Sequence, residues 1–245
     1  MINLPKSLYY YKPIKDDKPV IDKLQELAEN KPNEGQDKFY SRIRNEGVIW
    51  NYKRVRRVYL KLGMNKRKRA KKRITGREKV PLSIPESAND TWSMDFMHDV
   101  LMNGRKFRTL NIIDDFNREA LAVDAYFSIG SKRVVTVLER VVKEKGKPRM
   151  IRVDNGPEFI GTIFSDWCYE NKIELHYIQP GKPNQNGYIE RFNRSYRQDV
   201  LDIHLFESLE QVRYYTDEFI IDYNHYRPHE SLNEMSPINY KLQKT

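Results

Sequence analysis

Three acidic residues of this 245-residue chain lie where a carboxylate could take part in chemistry. Asp95 interrupts the apolar stretch 92–97, where a buried carboxylate is costly unless it is paired or binds a cation. Asp154 directly follows the apolar stretch 150–153, and a carboxylate at the end of a core strand can point into a cleft. Glu190 lies at the edge of the apolar stripe of a helical pattern. Because the chain has 34 acids, it is these contexts that single out the three.

Carboxylates from two strands and a helix would suit a hard divalent cation, with Mg²⁺ preferred and Mn²⁺ as a substitute. Two such cations about 3.5–4 Å apart can activate the attacking oxygen and stabilise the leaving oxygen of a phosphodiester displacement. Structural interpretations remain open beside this one. Asp154 could cap a helix that begins at Pro157, and Glu190 could pair with Arg194. Asp95 has no local partner.

Hydrophobic periodicity predicts the elements that position these residues. Strand patterns cover residues 91–97, 107–113, 120–127, 150–153 and 174–178. Helices are expected from an N-cap at Ser131 to a stop at Gly146, from near Pro157, and from near Gly187. Antiparallel strands followed by alternating strands and helices predict an α/β fold, a mixed five-stranded sheet with flanking helices.

Three short helical patterns, at 20–29, 38–44 and 52–62, precede the strands. Asn51 is the expected N-cap of the third helix and Gly63 its stop. Three such helices predict a small all-α, helix-turn-helix-like domain whose third helix faces DNA. The residues expected to contact DNA from that helix are Lys53, Arg54, Arg56 and Arg57. A helical adaptor with a basic surface is the alternative.

Positive charge is concentrated near the N-terminus. The chain has a formal net charge of +10, and residues 1–80 hold 23 basic and 9 acidic side chains. Such a density could neutralise a phosphate backbone, although a solvated charged linker would look similar. The run expected to contact DNA consists of Lys66, Arg67, Lys68, Arg69, Lys71, Lys72 and Arg73. The predicted organisation is a helical region at 1–65, a basic linker at 66–88, a catalytic core at 89–203 and a helical extension at 204–245.

Other features exclude some classes of protein. Cys168 is the only cysteine, which excludes an intramolecular disulfide and any zinc site built on a cysteine pair. The single cysteine also indicates a reducing, cytoplasmic setting, and because the sequence has no apolar run long enough for a membrane span, a soluble protein is expected. His225 and His229 have the spacing of metal ligands, but Pro228 interrupts a regular helix between them and structural roles are expected. Tryptophans such as Trp92 and Trp167 are expected in the core.

Three segments carry a resemblance to a known family. VDNGPEF (153–159), PGKPNQNGYIERFNRSYR (180–197) and YNHYRPHESLNEMSPINY (223–240) resemble the signatures of OrfB-type insertion-sequence transposases, whose catalytic core is retroviral-integrase-like. Asp154 and Glu190 enclose 35 residues, the D-D-35-E spacing of that family. The resemblance implies a ribonuclease-H-like core in which Asp95, Asp154 and Glu190 hold two Mg²⁺ ions. Met94 precedes the first aspartate where many relatives have threonine.

The resemblance also implies a reaction and partners. An activated water would attack the phosphodiester at the end of the element, and the freed 3′-hydroxyl would then attack another DNA strand. Arg197 matches a basic position of the family's motif and is expected to contact DNA near the scissile phosphate, and Arg194 is expected to bind DNA from the same helix. Lys182, Asn184 and Asn186, just before that helix, could bind a phosphate together with the helix N-terminus, with an ordinary polar loop as the alternative. Family members commonly gain a further DNA-binding part by frameshifted fusion, which implies an upstream OrfA product as fusion partner and a homo-oligomer on DNA.

Two other functions remain as alternatives. A ribonuclease-H-like nuclease would hydrolyse nucleic acid without strand transfer, and an inactive remnant of a transposase would only bind DNA. Three further acids are given structural roles. Asp114 and Asp115 are expected to form a turn between strands, and Glu158 to favour the first turn of a helix.

Overall fold

The computed structural model describes residues 16–65, 85–179 and 186–244. The chain divides into two compact units, Met1–Arg69 and Ala70–Thr245. The helices of the first unit are α1 (Lys18–Asn30), α2 (Gln36–Asn45) and α3 (Tyr52–Lys61). The strands of the second are β1 (Thr91–Val100), β2 (Lys106–Asp114), β3 (Ala120–Tyr126), β4 (Met150–Val153) and β5 (Glu174–Tyr177). Its helices are α4 (Ser131–Lys145), α5 (Pro157–Ile160), α6 (Thr162–Glu170), α7 (Gly187–Tyr196), α8 (Leu209–His225) and α9 (Pro237–Lys244).

The first unit is held together by the apolar stripes of its three helices, as their patterns predicted. These stripes meet in one core that includes Leu24, Ile43 and Val55, all fully buried. Asn51 caps α3, because its side-chain oxygen accepts the N–H of Lys53 at 2.8 Å. The three helices and this cap are therefore confirmed.

The second unit is built on a mixed five-stranded sheet with the order β3-β2-β1-β4-β5. The β1–β2 and β2–β3 pairs are antiparallel, whereas β1–β4 and β4–β5 are parallel. The parallel pairs are joined by connections that contain helices, as parallel pairing requires. The predicted fold class is confirmed, and β1, the strand of Asp95, is the central one.

Helices cover both faces of this sheet. Because side chains alternate along a strand, Trp92 and Met94 of β1 belong to a core with α4 and α6, whereas Met97 belongs to a second core with α7 and α8. Trp92 and Trp167 are in the first core, as expected. Asp95 lies on the same face of β1 as Met97, and so faces α7. After α7 the chain forms one π-helical turn, Arg197–Leu201. α8 then packs against β3, and α9 against α8.

The predicted cap of α4 is wrong. Ser131 is the first residue of the helix and Gly130 is its N-cap, without a side-chain hydrogen bond. The Ser131 hydroxyl instead donates to the carbonyl of Glu158 at 2.7 Å. This contact joins α4 to α5, which local sequence rules do not anticipate.

The two aspartates after β2 differ from each other. Asp114 makes the expected turn, since its carboxylate accepts the N–H of Phe116 at 2.8 Å. Asp115 also lies in the expected turn, but its side chain has a further role: it is fully buried and pairs with Arg152 of β4 at 2.6 Å, while also accepting the Ser93 hydroxyl at 2.9 Å. This ion pair connects the ends of three strands on the sheet. In the described parts of the chain, none of the helices has both the length and the hydrophobicity that a membrane span needs.

Candidate active site

The sheet register places Asp95 and Asp154 side by side. β1 and β4 run parallel and pair Thr91 with Met150 and Ser93 with Arg152. Extending this register by two residues brings Asp154 opposite Asp95 on the neighbouring strand, with the strands about 4.8 Å apart. Both residues are half-buried. The sheet thus brings together two carboxylates that are 59 positions apart in the sequence.

Glu190 is placed by α7, which packs across β1 and β2. Ile189, Phe192 and Tyr196 form the buried stripe of this helix and are fully buried. Glu190 stands beside that stripe in the first turn and is exposed. The helix therefore holds a solvent-accessible carboxylate at the side of the sheet on which Asp95 lies.

A chain of amide side chains fixes the Asp95 carboxylate. Asn193, one turn after Glu190, donates through Nδ2 to Asp95 Oδ2 at 2.7 Å, and its Oδ1 accepts Nδ2 of Asn111 at 2.7 Å. Asn111 is fully buried and is the β2 partner of Asp95 in the register. Sequence reasoning did not assign a role to either asparagine. The available signal was Asn111, a polar residue inside the apolar stretch 110–113.

The three acids influence one another electrostatically. Burial, together with the negative charges of Asp154 and Glu190, raises the pKa of Asp95 to about 6. Hydrogen bonds from the Phe96 N–H and from Asn193 oppose this shift of the pKa. Both other carboxylates therefore lie near enough for Asp95 to experience their charge, which is the arrangement that a bound cation would stabilise.

The donor set fits magnesium, although not as a closed cage. Within residues 16–65, 85–179 and 186–244, no group of three or more His, Cys, Asp or Glu side chains is arranged to hold a metal ion. Mg²⁺ does not need such a group, because it keeps several waters and is typically bound through one or two carboxylates together with phosphate oxygens of the substrate. Asp95, Asp154 and Glu190 supply only oxygen ligands, which hard cations prefer.

The Asp154 side chain is positioned by the turn that follows it. Its Oδ1 accepts the N–H of Gly156 at 2.9 Å. A Cβ atom at position 156 would lie 2.9 Å from the same oxygen, closer than real contacts of this kind. Position 156 therefore has to be glycine if this carboxylate is to keep its place.

The resemblance implies that Asp154 acts in DNA strand cleavage. Gly156→Ala is accordingly expected to displace the Asp154 carboxylate and to lower such cleavage roughly tenfold, since about an ångström of misplacement is costly in catalysis. The matched control is Gly130→Ala, because Gly130 is also a helix N-cap and a Cβ there meets nothing within 4 Å. Cleavage rates and thermal midpoints of both variants provide the test. Equal cleavage by the two variants would show that the contact has no role.

The basic residues predicted beside the site are placed differently from one another. Arg194 is exposed, whereas Arg197 pairs with Asp99 at 3.1 Å and donates to the carbonyl of His98 at 2.8 Å. Asn186 is buried at the start of α7. Lys182 and Asn184 lie outside the described residues.

The four basic residues of α3 that are predicted to contact DNA fall into two pairs. Lys53 and Arg56 of α3 are exposed. Arg54 and Arg57 instead bind the carboxylate of Asp17, at 3.2 and 2.7 Å. Two of the four predicted DNA contacts of α3 thus already have an acidic partner within the unit. The run from Lys66 to Arg73 lies outside the described residues.

The remaining candidates have structural environments. His229 packs edge-on against Tyr223, with ring centres 4.8 Å apart. Cys168 is buried in the core of the sheet, and burial raises the pKa of its thiol to about 12. A thiol with such a pKa is unreactive at neutral pH.

Comparisons with known proteins agree with this architecture. Two sequence profiles of the integrase core domain match residues 85–183 and 171–237. The "insertion element IS407 uncharacterized 31.7 kDa protein" of Burkholderia multivorans is 34% identical over 242 residues, covering 98% of this chain and 87% of that protein. The "insertion element IS476 uncharacterized 39.2 kDa protein" of Xanthomonas euvesicatoria is 37% identical over 228 residues, covering 91% of this chain and 65% of that protein.

A solved structure shows the same fold. It is the cryo-EM structure of the simian T-cell lymphotropic virus intasome in complex with PP2A regulatory subunit B56 gamma, with a TM-score of 0.55 and 18% identity, covering 67% of this chain and 58% of that one. The ribonuclease-H-like sheet inferred from the resemblance is thereby confirmed. Because a relative is 34% identical over 98% of this chain and integrase-core matches extend across the sheet, the chain belongs to the insertion-element transposases with a retroviral-integrase-like core.

Proposed function

We propose that this protein cuts DNA at the ends of an insertion element and joins the freed 3′-hydroxyl to another strand, with Asp95, Asp154 and Glu190 as the catalytic acids. The proposal is supported by the sheet register, which sets Asp154 beside Asp95 on neighbouring parallel strands, and by the charges of Asp154 and Glu190, both of which act to raise the pKa of Asp95. Such a site suits phosphodiester chemistry, in which positioning and charge stabilisation do most of the work.

Two Mg²⁺ ions, or Mn²⁺ in their place, would activate the attacking oxygen and stabilise the leaving oxygen when bound. The protein contributes a rigid frame for the ligands. Asn193 orients the Asp95 carboxylate, the Gly156 N–H orients that of Asp154, and the buried stripe of α7 fixes Glu190. Preorganised carboxylates of this kind avoid a reorganisation cost when the substrate arrives.

DNA is the proposed partner, and the proposed contacts come from both units. Beside the acids they are Lys182, Asn186, Arg194 and Arg197. In the first unit they are Lys53, Arg54, Arg56 and Arg57, followed by the basic run of Lys66, Arg67, Lys68, Arg69, Lys71, Lys72 and Arg73. The proposed boundaries are 1–65, 66–88, 89–203 and 204–245. Assembly as a homo-oligomer on DNA, an upstream OrfA product as fusion partner and a cytoplasmic location complete the proposal.

Replacing the six basic residues between positions 66 and 72 by glutamine is expected to weaken DNA binding regardless of sequence. Each lost phosphate contact lowers the slope of log affinity against log salt by about 0.9, so the slope should fall by up to about 5. Fluorescence anisotropy of labelled duplex DNA across a salt series measures this slope. Because the sheet and the acids are unchanged, an unaltered slope would identify the run as a spacer.

Incubation with labelled element-end DNA and Mg²⁺ tests the proposed reaction. The expected products are a cut element end and a longer strand in which that end has joined target DNA. Hydrolysis without a joined product would instead indicate the nuclease alternative. DNA binding without either product would indicate an inactive remnant.

A further inference from the structure

A small cavity lies at the start of α7, the helix that carries Glu190. Its volume is about 220 Å³, and its walls come from the β2–β3 turn, from α7, from the end of α8 and from the segment 229–231 that follows it. The walls carry Arg118, Tyr188, Arg191 and Tyr223, together with Ser231. Two guanidinium groups and two phenol rings around a small opening form an environment for an anionic group.

Arg118 is held in position by its neighbours. Its guanidinium lies 3.5 Å above the centre of the Tyr188 ring. Its backbone has a φ of +64°, which is uncommon for a residue other than glycine. An arginine stacked on a ring keeps its N–H groups directed outward at the ring edge, where oxygen acceptors can reach them.

Among the described residues of this unit, seven arginines pair with acids, whereas Arg118 and Arg191 belong to those that do not. Carboxylates pair with Arg108, Arg140, Arg149, Arg152, Arg197, Arg213 and Arg227. Within the parts of the chain that the structure describes, neither Arg118 nor Arg191 forms an ion pair; Arg118 reaches only a backbone carbonyl, at 3.5 Å. Two unneutralised guanidinium groups on one cavity are an anion-binding arrangement.

The buried Tyr223 shows that both charges reach the cavity. Burial raises the pKa of its hydroxyl to about 12, and the positive charges of Arg227, Arg118 and Arg191 each act to lower it. Arg227 is already paired with Asp199. The charges of Arg118 and Arg191 thus both act on Tyr223, one of the residues that line the cavity.

We propose that this cavity binds one phosphate group of the DNA strand, near the phosphodiester that lies at the catalytic acids. This inference rests on the proposed function, because it assumes that DNA enters at those acids. Arg191 directly follows Glu190, so the two side chains leave α7 about 100° apart on one turn. A strand held at Glu190 therefore passes within a nucleotide or two of Arg191, given an advance of about 3.4 Å per nucleotide.

Binding without catalysis tests the site independently of the reaction. Arg118→Gln and Arg191→Gln, assayed by anisotropy with EDTA present, are each expected to weaken DNA binding several-fold and to lower the salt slope by about 1. Glutamine keeps a flexible side chain and leaves the backbone at position 118 unchanged. The matched control is Arg133→Gln, which also removes an arginine stacked on a tyrosine, with 4.9 Å from guanidinium to ring centre, but on α4.

A scan of DNA carrying single neutral methylphosphonates identifies the phosphate. At one or two positions the wild type should lose affinity roughly tenfold, while Arg191→Gln and Arg118→Gln should lose little more there, because the contact is already gone. If each methylphosphonate lowers the DNA affinity of the wild type and of both variants by the same factor at every position, the proposal is overturned. A second result would also overturn it: inorganic phosphate stabilises the wild type but not the variants against heat, and no DNA position shows a dependence on these arginines. The cavity would then bind a free anion. Failure of the proposed function is separate, because it appears in cleavage and not in binding.

Discussion

Asp154→Asn, Asp95→Asn and Glu190→Gln are each expected to lower DNA strand cleavage at least 10³-fold, equivalent to about 4 kcal/mol of transition-state stabilisation. Each change removes one negative charge and one oxygen ligand from the set that would hold the cations. Amide oxygens bind Mg²⁺ more weakly than carboxylates do, and activation of the attacking oxygen depends on the bound cation. Cleavage of labelled element-end DNA measures the effect, and anisotropy measures binding in parallel.

Matched surface acids provide the control. Asp166 and Glu170 are exposed on α6, so Asp166→Asn and Glu170→Gln change charge by the same amount away from the site. Both should cleave DNA at the wild-type rate. Asp95→Asn is further expected to be at least as stable as the wild type, because it relieves burial of a charge next to two like charges. Loss of cleavage together with loss of folding would assign these acids a structural role.

Arg152→Met is expected to lower the free energy of unfolding by about 3–5 kcal/mol, the usual cost of leaving a buried charge without its partner. Asp115 is fully buried, and the side chain of Arg152 is 5% exposed. Ser93 would remain as a hydrogen-bond donor to Asp115, but would not neutralise its charge. The control is Arg149→Met, directly before β4. Arg149 is 59% exposed and pairs with Asp90. Such exposed pairs contribute under about 1 kcal/mol.

The same variant has a predictable dependence on pH. Burial raises the pKa of Asp115 to about 6, while Arg152 and Ser93 act to lower it. The pKa of this carboxyl is therefore higher in the folded than in the unfolded protein. Its ionisation lowers the free energy of unfolding as the pH rises from the unfolded-state pKa to the folded-state pKa. Removing Arg152 moves the pKa higher, so the loss of stability in Arg152→Met should be larger at pH 8 than at pH 5. Chemical denaturation of variant and wild type at both pH values measures this; a loss independent of pH would contradict the buried ion pair.

Local patterns in the sequence were sufficient for most of the fold. The strand at Met150–Val153 and the cap at Asn51 were predicted because short-range chemistry decides them. The mixed sheet followed from the order of strand and helix patterns. The predicted Ser131 cap is wrong because the Ser131 hydroxyl donates to the carbonyl of Glu158, 27 residues away, and no local rule includes that partner.

The site was only partly accessible to sequence reasoning. The three acids could be selected, because each stands in an unusual local context. The amide chain from Asn111 through Asn193 to Asp95 could not be predicted, since its contacts span 82 and 98 residues and depend on how α7 crosses the sheet. The ion pair of Arg152 and Asp115 depends likewise on which strands are neighbours. Likewise, the pairing of Arg54 and Arg57 with Asp17 is a tertiary effect that a charge pattern does not reveal.

The most direct test is the position of Mn²⁺ in crystals of the protein with an element-end DNA, located by anomalous scattering. Two peaks about 3.5–4 Å apart are expected, both within ligand distance of carboxylate oxygens of Asp95, Asp154 or Glu190. Peaks elsewhere on the protein, or none at these three carboxylates while DNA is bound there, would contradict the proposal that the acids act together on the phosphodiester.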